Sequence, residues 1–252
     1  MIWAFIAGIL AGFVLGFLGA GGTVVALPVL LYVAGVKPHL TFGTNALGVS
    51  LIAGALLVWR LANREILIRE GIIFSLPGLI GIYLGARLGL IYPGARLVYL
   101  LGILLFFVAA WIFYLSTRAP ASAMPVSGTR STVGTSRMLR IAAAALVVGV
   151  ASGFFAIGGG FMIVPALMLT AGLELGPAAR SALIPIAAFS GLVGIEYFTA
   201  GSVRVSWSIY MLVGGLAGGG AGIWLSDHLP LRMMQRVCAA FLAVTGLYMV
   251  LR

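Results

Sequence analysis

Apolar runs fill this chain, at residues 2–18, 22–35, 41–59, 71–91 and 95–116, then, after a break, at 138–156, 158–173, 181–200, 206–226 and 233–251. Backbone placed in hydrocarbon must satisfy its own hydrogen bonds, so such runs can only be helices or strands of a closed barrel. The ten-residue alternating pattern of an outer-membrane barrel is missing, which leaves helices. Composition agrees: charged residues make up 8% and the mean hydropathy is +1.20, against roughly 25% charged residues in soluble proteins. A chain this poor in charge cannot cover a water-facing surface. The fold class read from the sequence is therefore an all-α polytopic membrane protein.

Fifteen Lys and Arg against five Asp and Glu give a net charge of +10. In a membrane protein such an excess records orientation, so no nucleic-acid partner is expected. Cys238 is the single cysteine, and His39 and His228 are the two histidines. That excludes an internal disulfide and a Cys/His metal cluster, and no cofactor is expected. The opening Met1-Ile2-Trp3-Ala4 lacks a basic n-region, so the first run is expected to stay in the protein. No nucleophile with a base, carboxylate pair or metal cluster emerges, so the chain does not read as an enzyme.

The same phrases recur on both sides of the break. Gly16-Phe17-Leu18-Gly19-Ala20-Gly21-Gly22 with Pro28 matches Gly153-Phe154-Phe155-Ala156-Ile157-Gly158-Gly159 with Pro165 at an offset of 137. Gly81, Gly85 and Pro93 fall on Gly218, Gly222 and Pro230 at that offset, and Ser50 and Gly54 meet Ser190 and Gly194 at 140. Two blocks in register indicate duplication, with a first membrane repeat at 1–116 and a second at 141–252. Between them, 117–140 is rich in Pro, Gly, Ser, Thr and Arg and reads as a flexible polar linker. If each half crosses an odd number of times, the halves are inverted. A cytoplasmic linker then puts ten basic residues inside and five outside, the stronger of the two available biases.

The second run of each half is short and follows a glycine cluster: Gly19, Gly21, Gly22 and then Thr23 in one, Gly158, Gly159 and Gly160 in the other. Such clusters let backbone leave helical geometry, and a helix starting there exposes free N–H groups and a positive dipole end that suit an anion. Paired broken-helix hairpins in matching positions are a signature of secondary-transporter binding sites, although the same glycines also suit tight hairpin packing. Thr44 and Asn45, near the start of the third run, can donate to an oxyanion or hold neighbouring helices together. The matching stretch of the second half, Leu183-Ile184-Pro185, has no donor side chains.

Of the five acids, Glu196 alone lies within a run, as either a buried proton carrier or a side chain reaching the interface. Arg87, between Gly85 and Gly89, could counter an anion or likewise reach the interface. Gly81, Gly85, Gly89, Gly214, Gly218 and Gly222, spaced by four, read as close helix packing, as do Ser190, Gly191 and Gly194.

The duplicated G-F-x-x-x-G-G phrase with its proline, followed by Gly43-Thr44-Asn45, resembles the sulfite exporter TauE/SafE family, also called the toluene sulfonate uptake permease family. The resemblance spans nearly the whole chain, with Pro38 and Pro177 in the matching loops. Thr23 replaces a glycine of the pattern, and the second half lacks the G-T-N phrase. What the resemblance implies is transport of sulfite, organosulfonates or related small anions across a bacterial inner membrane, with Gly21, Gly22, Thr23, Thr44, Asn45 and Gly158 to Gly160 around the substrate. A passive anion channel and a non-transporting membrane scaffold are the alternatives. The expected partners are a small anionic substrate and the lipid bilayer, with an oligomer allowed.

Overall fold

The computed structural model describes residues 1–62, 68–118, 135–173, 175–226, 228 and 231–251. All regular structure among them is helical. The helices are α1 (Ile2–Leu18), α2 (Gly22–Pro28), which continues as a π turn over Val29–Val33, α3 (Pro38–Ala62), α4 (Ile68–Ile91) and α5 (Gly94–Arg118). The second half contributes α6 (Thr135–Phe154), α7 (Gly160–Ala171), α8 (Leu175–Ser181), α9 (Leu183–Thr199), α10 (Val205–Ser226) and α11 (Leu231–Leu251). Among the described residues, four stretches are long and apolar enough to cross a membrane: α3, α4, α10 and Gly176–Thr199, which joins α8 to α9.

Local chemistry explains the breaks. Gly19 ends α1 in the left-handed region, at φ 66°, where a side chain would be costly. Pro28 has no N–H for the carbonyl of Val24 and its ring crowds that turn. The helix answers by widening, so that the Ala34 N–H reaches the carbonyl of Val29 at 2.9 Å, the longer reach of a π turn. Pro185 likewise has nothing to donate to Ser181, and the chain divides there into α8 and α9. The third segment of the second half begins at Leu175 and not near 181, because Pro177 lies in the first turn of α8, where it removes only an N–H that has no partner. His39 and Glu70, placed in loops by their neighbours, lie in the first turns of α3 and α4. The ends of the expected linker, 117–118 and 135–140, are helical, and 119–134 lies outside the described residues.

Helix α4 shows how a protein without a water-facing surface sorts its residues. Ile72, Leu76, Ile80, Leu84 and Leu88 point outward, while Gly71, Gly78, Gly81, Gly85 and Gly89 are buried. Large apolar groups meet lipid and small ones meet protein, because close backbone approach is what lipid cannot supply.

Gly81, Gly85 and Gly89 lie against the backbone of Leu146, Val150 and Phe154 on α6. Gly8, Gly12 and Gly16 of α1 lie in the same way against Met211, Gly215 and Gly219 of α10. Residue numbers rise together in both pairs, so each pair runs parallel. The two third helices differ. Gly43 meets Tyr197, Leu47 meets Gly194 and Ser50 meets Gly191, so α3 and α9 cross antiparallel. Ser50 fastens this crossing by donating to the carbonyl of Ala187 at 2.9 Å.

Candidate functional site

The broken hairpins put two backbone turns inside the protein. Gly21 has φ 86° and precedes α2, while Gly158 and Gly159 have φ 62° and 74° and precede α7. Ala156, which matches Gly19 at the 137 offset, also has positive φ, at 52°, an unusual conformation for a residue with a side chain. Both stretches therefore carry left-handed residues at two matching places, Gly19 with Ala156 and Gly21 with Gly158, and the second adds Gly159 where Gly22 is already helical. The helices that follow are short. With its π turn α2 spans Gly22–Val33, and α7 has 12 residues, so each is about 18 Å long against a hydrocarbon core of about 30 Å. Neither can cross alone, and their starting turns are buried.

The turns touch. A Cβ on Gly160 would stand 2.9 Å from the amide nitrogen of Gly21, so only glycine fits between them. The first N–H groups of an α-helix have no intrahelical partner, and here two such sets start in the protein interior from adjoining turns. Helix α8 backs the first of them, with the carbonyl of Ala179 against Gly19. Arg60, also buried, donates from Nη2 to the carbonyl of Gly16 at 3.2 Å.

The two side chains expected to donate to substrate face different neighbours. Asn45 donates from Nδ2 to the carbonyl of Thr23 at 2.8 Å, so it fastens α3 to the first turn of α2. Its Oδ1 is buried without a partner among the described residues. The Thr44 hydroxyl oxygen instead accepts from the Arg204 N–H at 2.9 Å, and the Ser208 hydroxyl donates to the Thr44 carbonyl at 2.9 Å. Thr44 thus ties α3 to the start of α10.

Two further polar side chains border the second turn. A Cβ on Gly158 would overlap Ser190 Oγ, and one on Gly159 would lie 2.6 Å from Ser152 Oγ. Both serines are fully buried and neither hydroxyl has a hydrogen-bond partner among the described residues. Sequence reasoning assigned Ser190 to packing and passed over Ser152. The available signal was a hydroxyl within each apolar run.

Arg87 and Glu196 pair with each other, Nε to Oε2 at 3.2 Å, with side-chain exposures of 61% and 13%. The arginine also lies over the Tyr83 ring at 4.9 Å. Both residues sit within about a turn of the ends of α4 and α9, so the pair lies toward the edge of the helix layer. The carboxylate already has a cation as its partner near the helix ends, which makes the pair a structural contact. Glu196→Gln is therefore expected to change net flux and its pH dependence by less than about twofold, measured in proteoliposomes at two pH values under a clamped potential. Loss of the pH dependence would make Glu196 a proton carrier after all.

An open cleft of about 500 Å³ lies at the start of α3, lined by Lys37, His39, Gly94 and Ser202 among others. Its lining is mainly apolar, with Lys37 as the cation beside it.

An all-helical assembly with lipid-suited outer faces and paired, buried half-length helices defines a multi-pass membrane transporter. The chain belongs to the sulfite exporter TauE/SafE family, whose model matches residues 4–249. It is 36% identical over 251 residues to a "Probable membrane transporter protein" of Xylella fastidiosa strain Temecula1, covering 98% of this chain and 93% of the relative. The protein of the same description from Xylella fastidiosa strain 9a5c is 37% identical over 252 residues, with the same coverage. A Bacillus subtilis relative, "Probable membrane transporter protein YdhB", is 28% identical over 240 residues, covering 94% of this chain and 95% of that one. No solved structure matches. These relationships place the chain among transporters and not among enzymes.

Proposed function

We propose that the protein is a secondary transporter that exports small sulfur-containing oxyanions, such as sulfite or organosulfonates, across a bacterial inner membrane. The observation that carries this reading is the contact of the two glycine turns, with Gly160 against Gly21. Amides of Gly21, Gly22 and Thr23 on one side and of Gly158, Gly159 and Gly160 on the other offer neutral donors to an anion. Asn45 holds the first set in place through the Thr23 carbonyl, and Thr44 anchors the neighbouring helix. The sulfur chemistry rests on the family, whose description is that of a sulfite exporter. A membrane potential negative inside drives an anion outward by about 2.3 kcal/mol per charge per 100 mV, so export needs no coupled proton.

Labelled-sulfite counterflow in proteoliposomes tests this reading. Accelerated exchange is expected. Flux without accelerated exchange would indicate a passive channel, and neither would indicate a scaffold.

The two halves, 1–116 and 141–252, are proposed to be inverted repeats joined by a cytoplasmic linker. Support comes from the antiparallel crossing of α3 with α9, which occupy equivalent places in the duplication. Parallel repeats would orient equivalent helices alike. With Cys238 replaced by Ala, single cysteines at Arg69 and Ser202, at the starts of the equivalent α4 and α10, are expected to react with an impermeant reagent from opposite sides. Reaction from one side alone would reject inversion.

A further inference from the structure

We infer that the hydroxyls of Ser152 and Ser190, together with the turn before α7, form the anion-binding subsite of the second half. The inference rests on the anion-transport reading above and supplies side-chain donors that the second half lacks at Leu183-Ile184-Pro185. Ser152 on α6 and Ser190 on α9 reach consecutive residues of one turn, Gly159 and Gly158. Both side chains are fully buried, and neither hydroxyl is bonded among the described residues.

Buried hydroxyls almost always find a partner, and an unmet one costs stability. A serine in a helix has an easy partner in the carbonyl one turn back, as Ser75 shows with Gly71 at 2.7 Å. Ser152 and Ser190 leave that partner unused and project instead onto backbone whose φ angles are 62° and 74°. A left-handed residue beside a right-handed helical one, as Gly159 is beside Gly160, turns successive N–H groups into a concavity that can bind an anion. The hydroxyls of Ser152 and Ser190, without a partner among the described residues, border it and add side-chain donors. Residues Phe154 to Met162 include no cation, so the turn itself offers only neutral donors and an ion held there keeps its charge. That suits a compact pyramidal or tetrahedral oxyanion, whose unprotonated oxygens accept several bonds at once. Ser50, the equivalent of Ser190, shows the contrast: its hydroxyl is bonded to Ala187 and is not free for a ligand.

A bonded structural serine and an unbonded ligand serine behave differently when cut to alanine. Removing an unmet buried hydroxyl leaves the empty protein as stable as before, or more so. Removing a donor to a charged ligand weakens binding by about ten- to hundredfold. The test is the melting temperature of the full-length protein in lipid nanodiscs, titrated with sulfite under anaerobic conditions and separately with methanesulfonate. Ser152→Ala and Ser190→Ala are expected to melt at or above the parent without anion, and to need about ten- to hundredfold more anion for the same stabilisation. Ser50→Ala is expected to melt lower without anion. Parent-like anion stabilisation in both serine variants would overturn the subsite and leave the transporter reading intact. A clear fall in their anion-free melting temperature would also overturn it, by showing the hydroxyls to be structural. If neither anion stabilises the parent, the anion reading fails and the subsite fails with it.

Discussion

Gly12→Ala is expected to cost about 3 kcal/mol or more and to remove most of the folded protein from detergent extracts. A Cβ there would overlap the Gly215 carbonyl and stand 2.6 Å from its Cα. Backbone cannot rotate aside as a side chain can, so α1 and α10 would have to separate along their length. Overpacking a fitted contact costs typically 1–3 kcal/mol, and a backbone-to-backbone contact belongs at the upper end or beyond. Gly220, on the same α10, has nothing within 4 Å of its would-be Cβ. Gly220→Ala should therefore be neutral or gain up to about 1 kcal/mol from helix propensity. Fluorescence-detected size exclusion and thermal melting of the two variants check the contrast. Equal behaviour would mean that the α1–α10 contact does not hold the fold.

Gly160→Val is expected to reduce transport by about a hundredfold or more. Its Cβ alone would stand 2.9 Å from the Gly21 amide nitrogen, and the two branch methyls would occupy the space where the turns meet. The turns would move apart, and donors aimed at one anion would no longer reach it together. Loss of even one bond to a charged ligand costs roughly 1.5–3 kcal/mol, and separation of the turns removes more than one. Stability should fall less steeply, by about 1–3 kcal/mol, because the rest of α7 keeps its packing. Counterflow rates per folded molecule, with melting as the control, measure the two effects separately. Undiminished counterflow would detach the turn contact from transport.

Much of this architecture was legible before any coordinates. Long apolar runs name helices because hydrocarbon admits no other open backbone. The recurring glycines named both hairpins, and Gly21, Gly158 and Gly159 do adopt positive φ. Glycine at such places answers a local demand, which a local sequence can state. The first part of the third helix of the second half was less legible. Pro177 and Gly176 look like loop residues, yet α8 runs from Leu175 to Ser181, because proline near a helix start removes only an N–H that has no partner there.

Side-chain roles were the hardest to read. Asn45 is a natural donor by type, but its amide is committed to Thr23, 22 residues earlier, and Thr44 turns toward Arg204. Arg87 and Glu196, weighed separately in sequence, face each other across 109 residues. Ser190 looks like a packing residue until α9 is rotated to put its hydroxyl on Gly158.

The sequence by itself determined that this chain is a bundle of membrane helices, broken at each of two glycine clusters. Each of those properties follows from apolar length and glycine placement within a few residues. Only the tertiary structure decided that α1 pairs with α10, that α4 pairs with α6, and that the two turns meet through Gly160 and Gly21. In lipid the hydrophobic effect does not choose between helices, since every face is apolar. Partner choice falls to the fit of one backbone against another, and that fit exists only once both helices are in place.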